Sequence, residues 1–75
     1  MLIANIFITG IVQGVGFRPF IYRMAKQCNI CGTVCNTGFG VLIKTSSNNA
    51  SVDNFIKNIK NNLPPLAVIE TITVD

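Results

Sequence analysis

A glycine-bearing segment near the N terminus brings backbone amides together with an arginine, and it reads GIVQGVGFR from Gly10 to Arg18. Glycine at positions 14 and 16 permits backbone angles that residues with a Cβ resist. Consecutive amides at the start of a helix can then turn inward as an anion nest, and the helix dipole adds attraction. The guanidinium of Arg18 offers paired donors for phosphate oxygens at the same end. These features together predict a site for a phosphate-sized anion.

The same residues are open to a plainer interpretation. The segment has neither the Gly-Lys-Ser/Thr of a Walker A loop nor the G-x-G-x-x-G of a dinucleotide site. Gly14 and Gly16 could simply form a tight turn from strand to helix, with Arg18 as a solvated charge. Asn36, which precedes a Thr-Gly pair, could be an ordinary hairpin residue. The residues alone leave both interpretations open.

The composition removes several kinds of chemistry. The chain has 75 residues, 49% of them hydrophobic and 12% charged, which is typical of one small globular domain. It contains no His, so a histidine base, a phosphohistidine and a histidine metal ligand are excluded. Its cysteines, Cys28, Cys31 and Cys35, lack a fourth ligand for structural zinc, and we therefore expect no metal and no cofactor. The net charge of +3 suits a small anion better than nucleic acid.

The apolar runs and the N terminus bear on location. Polar or glycine residues interrupt every apolar run well before the roughly 20 residues that a spanning helix needs. No secretory signal pattern follows Met1. We therefore expect a soluble cytoplasmic protein without a membrane partner, and the odd number of cysteines agrees with a reducing compartment.

The first half of the chain predicts two strands and a helix. A β-branched and aromatic run from Leu2 to Thr9 predicts a strand, and Gly10 to Phe17 predicts a loop. Arg18-Pro19, with proline at the first helical position, predicts a helix start. Its apolar stripe is formed by Phe20, Ile21, Met24, Ala25 and Cys28. Residues 31–36 are the next strand.

The second half predicts the complementary elements. Residues 37–40 form a glycine-bearing hairpin connection to a strand over 41–45. Ser51 is expected to cap a second helix, which Pro64-Pro65 ends, and Leu66 to Val74 returns to strand character. The apolar face of that helix consists of Val52, Phe55, Ile56, Ile59 and Leu63.

The resulting βαββαβ order predicts an α+β fold of the ferredoxin-like type. Two helices would pack on one face of a four-stranded antiparallel sheet, with the first and third strands central. This fold has many functions, so the topology by itself assigns none.

Two motifs resemble the signature segments of the acylphosphatase family: Gly10 to Arg18, and GTVCN from Gly32 to Asn36. Within the family, RPFIYR from Arg18 to Arg23 and PPLA from Pro64 to Ala67 resemble the N-terminal domain of HypF-type hydrogenase-maturation carbamoyltransferases. This resemblance implies that residues 1–75 are one acylphosphatase-like domain of a larger multidomain protein. The absence of Asp-Gly soon after Asn36 also favours this branch over free-standing acylphosphatases.

The resemblance implies a role for each part of the site. Arg18 and Asn36 would be catalytic, with Asn36 orienting a water for in-line attack on phosphorus. The implied substrate is an acyl phosphate, and carbamoyl phosphate in the HypF-type proteins. The implied partners are the other domains of the carbamoyltransferase and a hydrogenase-maturation protein. The phosphoryl group would be held by the amides of Gln13, Gly14, Val15, Gly16, Phe17 and Arg18 and by the Arg18 guanidinium.

Three other functions stay open at this point. The chain could be a free-standing acylphosphatase, or it could bind a phosphorylated metabolite without turning it over. An RNA-recognition module would need exposed aromatic residues on the open face of the sheet. Phe7 is one candidate, but the strand over 41–45 has none, and we expect no nucleic-acid partner.

Overall fold

The chain folds in the predicted βαββαβ order in the computed structural model, which describes residues 2–75; Met1 lies outside the described residues. The strands form one antiparallel sheet of order β2-β3-β1-β4, so β1 and β3 are central. The predicted ferredoxin-like architecture is therefore confirmed. The elements are β1 (Leu2–Ile11), α1 (Phe17–Gln27), β2 (Cys31–Asn36), β3 (Gly40–Ser47), α2 (Asn49–Asn61) and β4 (Val68–Val74).

The core lies between the sheet and the two helices. Alternate residues of β1 point into it, so Ile6 and Ile8 are buried while Phe7 between them is only half-buried. The Phe17 and Phe20 rings of α1 contact each other with centroids 5.7 Å apart. Burying a side chain of this size contributes about 1.5–3 kcal/mol, so Phe17 fixes the start of α1 to the sheet. The helices contribute Phe17, Phe20, Ile21, Met24, Val52, Phe55 and Ile59 to this core.

Strand β1 extends to Ile11, two residues beyond the predicted end at Thr9. The pairing with β4 shifts register between Thr9 and Gly10, which is a β-bulge. Gly10 has a φ of 132°, and a Cβ there would lie 2.1 Å from the Val68 carbonyl oxygen. Glycine therefore lets the strand continue, where the sequence suggested that it ends.

Helix α1 begins two residues before Pro19, which was predicted to hold its first position. Its N-cap is Gly16, in the left-handed region, and Phe17 is its first residue. The prediction of Pro19 at the first helical position was wrong, because Pro19 is the third residue of the helix. Proline is tolerated there because the first four N–H groups of a helix have no partner within it.

Helix α2 is capped by Asn48 rather than by Ser51. The Asn48 Oδ1 accepts a hydrogen bond from the Ser51 backbone N–H at 2.8 Å, so Ser51 lies in the first turn. After the helix, the Ala67 N–H donates to the Pro64 carbonyl, and this turn delays β4 to Val68 instead of the predicted Leu66. Within residues 2–75, neither helix is long and apolar enough to cross a membrane.

Candidate active site

The segment between β1 and α1 forms a short loop in which two glycines have positive φ. The angles are 73° at Gly14 and 76° at Gly16, in the region that L side chains rarely adopt. Among residues 2–75, no heavy atom lies within 4 Å of a Cβ built at either glycine, outside its immediate chain neighbours. The loop therefore needs glycine for its backbone conformation, and its outer surface is open to a ligand.

The strand register brings this loop next to the β2–β3 hairpin. Thr9, near the end of β1, pairs with Gly40 of β3, and Asn36 at the end of β2 pairs with Val41. The end of β1 and the hairpin therefore lie at the same end of the sheet. Residues that are distant in sequence, Arg18 and Asn36, meet there.

A cavity of about 150 Å³ lies at this meeting point. Both predicted catalytic residues, Arg18 and Asn36, line it. The amides of residues 13–18, which are predicted to hold the phosphoryl group, are called the phosphate cradle here. Val15 differs from the other residues of this cradle, since it does not line the cavity and its side chain packs against the core. The residues that line the cavity are Val12, Gln13, Gly14, Gly16, Phe17, Arg18, Pro19 and Asn36.

The charge around this cavity is one-sided. Arg18 is its only charged lining residue among residues 2–75, and no carboxylate lines it. Arg18 follows the first residue of α1, where the helix dipole is positive. The guanidinium and the helix end therefore attract an anion together, without a carboxylate of the cavity competing for the arginine.

The side chain of Gln13 connects the loop to the hairpin. Its Nε2 donates hydrogen bonds to the carbonyl oxygens of Thr37, at 2.7 Å, and Gly40, at 2.8 Å. Gln13 was predicted to hold the phosphoryl group through its backbone amide, and this contact of its side chain was not predicted. Only the register that sets Gly40 beside β1 could have revealed it.

The hairpin turn is closed by its own hydrogen bonds. The Thr37 N–H donates to the Gly40 carbonyl at 2.8 Å. The Thr37 Oγ1 accepts from the backbone N–H of Gly40 at 3.0 Å and of Phe39 at 3.3 Å. Asn36 immediately precedes this turn, so the turn fixes where β2 ends.

A wider groove of about 500 Å³ adjoins the cavity and shares Arg18 and Pro19 with it. Tyr22 contributes to this groove and is 63% exposed. Arg23 also lines the groove and was not predicted. The spacing of 18, 19, 22 and 23 on one helix could have revealed a shared surface.

The cysteines lie away from this cavity. The Cys28 Sγ accepts a hydrogen bond from the Asn58 Nδ2 at 3.2 Å, which links the end of α1 to α2. Cys31 and Cys35 are exposed on β2. Among residues 2–75, no group of three or more His, Cys, Asp or Glu side chains could hold a metal ion.

Comparison with known proteins identifies the family. The acylphosphatase family model matches residues 4–75. The chain is 37% identical over 75 residues to the acylphosphatase of Archaeoglobus fulgidus, covering 99% of this chain and 83% of that protein. The chain therefore belongs to the acylphosphatase family.

Within the family, the chain is also similar to a domain of larger enzymes. It is 46% identical over 71 residues to the probable carbamoyltransferase HypF of Methanocaldococcus jannaschii, covering 95% of this chain and 9% of that protein. A crystal structure of full-length HypF in its phosphate- and nucleotide-bound form superposes with a TM-score of 0.91 at 42% identity, over 97% of this chain and 10% of that one. The chain thus spans about a tenth of the carbamoyltransferases that it matches.

Proposed function

We propose that this chain hydrolyses acyl phosphates, with the phosphoryl group bound in the cavity of about 150 Å³. The observation that carries the proposal is the meeting of the glycine loop, Arg18 and Asn36 around one cavity that no carboxylate lines among residues 2–75. A dianionic phosphoryl group complements this surface in both charge and hydrogen-bond donors.

In the proposed mechanism the loop amides of residues 13–18 and the Arg18 guanidinium hold the phosphoryl oxygens. They stabilise the charge of the transferring group in a preorganised site, which is the main requirement of phosphoryl transfer. Asn36 orients a water in line with the leaving group. The water oxygen bonds to phosphorus, the bond from phosphorus to the acyl oxygen breaks, and the carboxylate leaves with the electron pair. An amide does not titrate, so the proton of the water passes to the substrate or to solvent.

We further propose that the substrate is carbamoyl phosphate and that residues 1–75 are the N-terminal domain of a carbamoyltransferase in [NiFe]-hydrogenase maturation. The similarity to HypF proteins supports this assignment. Four residues of the motif from 18 to 23 line the groove beside the cavity: Arg18, Pro19, Tyr22 and Arg23. The proposed partners are the other domains of that enzyme and a hydrogenase-maturation protein, and the proposed location is the cytoplasm.

The test is phosphate release from carbamoyl phosphate and from an aryl acyl phosphate. We expect turnover by the parent chain and a loss of about a hundredfold or more in Arg18→Ala and in Asn36→Ala, because each removes a group that acts in the transition state. Lys26→Ala and Asn61→Ala are matched controls, since both residues are exposed and lie outside the cavity. Circular dichroism verifies folding, and a folded parent without turnover contradicts the proposal.

A binding module is the second candidate, and one observation favours it. The residues that line the cavity include no Asp, Glu, His, Lys or Tyr within residues 2–75, and hence no ordinary general base. Phosphate binding that is lost in Arg18→Ala, in a folded parent that hydrolyses neither substrate, would establish this function instead.

A further inference from the structure

We infer that Gln13 is a positioning residue that holds Asn36 in its working orientation by fastening the β2–β3 hairpin to the glycine loop. This inference rests on the proposed hydrolysis. It adds to that proposal a role for the Gln13 side chain, which acts through Asn36 and not on the substrate.

The contacts of Gln13 use both protons of its side-chain amide. The two acceptors, the carbonyls of Thr37 at 2.7 Å and Gly40 at 2.8 Å, stand at the two ends of the turn. Because both partners are acceptors, only the Nε2 can face them, and the orientation of the amide is fixed. Gln13 therefore holds the turn as a unit.

The loop side of this connection is the firmly held side. Gln13 follows Val12, which is 1% exposed, and the loop ends at Phe17, which is 2% exposed. Both flanking side chains are part of the hydrophobic core. Core packing leaves little freedom to such residues, so the loop is the fixed support to which the hairpin is attached.

The hairpin side has fewer attachments. Strand β2 lies at the edge of the sheet and, within residues 2–75, pairs with β3 alone. The turn after Asn36 is mostly exposed at Gly38 and Phe39. The β3 side of the hairpin is held by the ladder with β1, in which Gly40 pairs with Thr9. The hydrogen bonds of Gln13 add a direct connection from the loop to Thr37, on the β2 side of the turn next to Asn36.

This arrangement predicts an effect on rate rather than on affinity. Thr37 is covalently joined to Asn36, so release of its carbonyl lets the end of β2 move relative to the cradle. Misplacement of a catalytic group by about 1 Å can cost about a hundredfold in rate. Phosphate is held by Arg18 and the loop amides, which remain anchored by the core.

The experiment replaces Gln13 by methionine, which has a similar length and donates no hydrogen bond. Gln27→Met is the matched control, because Gln27 is exposed at the end of α1, away from the cavity. The turnover number and KM for an aryl acyl phosphate are measured per folded molecule, together with the inhibition constant of inorganic phosphate. We expect kcat to fall about 10- to 100-fold in Gln13→Met while the phosphate inhibition constant changes by less than about threefold.

Each outcome decides the inference. A kcat equal to that of Gln27→Met overturns it, and so does a loss of phosphate affinity as large as the loss of kcat, because Gln13 would then act on the cradle. If the parent chain has no turnover, the proposed function fails and this inference fails with it. If the parent turns over and the kcat of Gln13→Met is unchanged, only this inference fails. Gln13→Asn, whose amide is one methylene too short to reach both carbonyls, gives the same test if Gln13→Met does not fold.

Discussion

The two halves of the site are supported in different ways. The glycine loop lies between two core residues, Val12 and Phe17, whereas the hairpin next to Asn36 exposes 86% of Phe39 and is held by hydrogen bonds. Apolar burial fixes the half that would bind phosphate, and polar contacts orient the half that would direct the water. This contrast suggests that binding and rate can be changed separately.

The largest effect on stability is expected from the anchor of the loop. Phe17→Ala removes a buried ring that contacts Phe20, and such truncations cost about 3–5 kcal/mol in the free energy of unfolding. Phe39→Ala removes an exposed ring of the hairpin and should change the free energy of unfolding by less than about 0.5 kcal/mol. Urea unfolding of both variants measures the difference, and similar losses would show that the two halves are not supported differently.

The next effect separates binding from rate within the site. Asn36→Ala should lower kcat by about a hundredfold and leave the inhibition constant of phosphate nearly unchanged, because Asn36 is assigned to the water. Arg18→Ala should weaken phosphate inhibition as well, since the guanidinium would contact the phosphoryl oxygens. Steady-state kinetics with phosphate as the inhibitor test this, and a loss of phosphate binding in both variants would remove the distinction.

Gly16 in the loop and Gly38 in the hairpin turn differ in how strongly their positions require glycine. Gly16→Ala places a Cβ on a residue with φ 76° and should cost about 1–2 kcal/mol in unfolding free energy, with weaker phosphate binding. Gly38 in the hairpin has no such φ, and a Cβ there meets no heavy atom within 4 Å beyond its neighbours among residues 2–75. Gly38→Ala should therefore change stability by less than about 0.5 kcal/mol. Equal melting temperatures of the two variants would contradict this reasoning.

Much of the fold could be predicted from the sequence because its β-branched runs and its helical apolar stripes are distinct from each other. The β-branched and aromatic run of β1 predicts a strand and the apolar stripe of α1 predicts a helix, and both elements contribute to the core. Element ends were less predictable. Asn48 caps α2 within a polar run of Ser and Asn, any of which has a capping side chain. Gly10 reads as a loop residue until its pairing with β4 is known.

The candidate site was predictable to the extent that local motifs carry it. Gln13 to Arg18 is a continuous segment, so its loop could be inferred from glycine preferences, whereas Pro19 located the start of α1 only to within two residues. Its approach to Asn36 depends on the register of β1 and β3, which no local pattern specifies. For the same reason, the contact of the Gln13 side chain with the hairpin was missed. The catalytic roles of Arg18 and Asn36 stay predictions until the variants are measured.

The smallest expected effect concerns the groove beside the cavity, which belongs to neither half. Arg23 is exposed there, so its attraction for an anionic substrate is screened by salt and should contribute less than about 1 kcal/mol. Arg23→Ala should raise KM up to about fivefold at low salt and leave kcat unchanged, with little effect at high salt. Lys26→Ala removes an equal charge from the same helix outside the groove and is the control. If both variants raise KM equally, the groove adds only net charge. If Arg23→Ala alone raises KM, Arg23 contacts the part of the substrate that extends beyond the phosphoryl group.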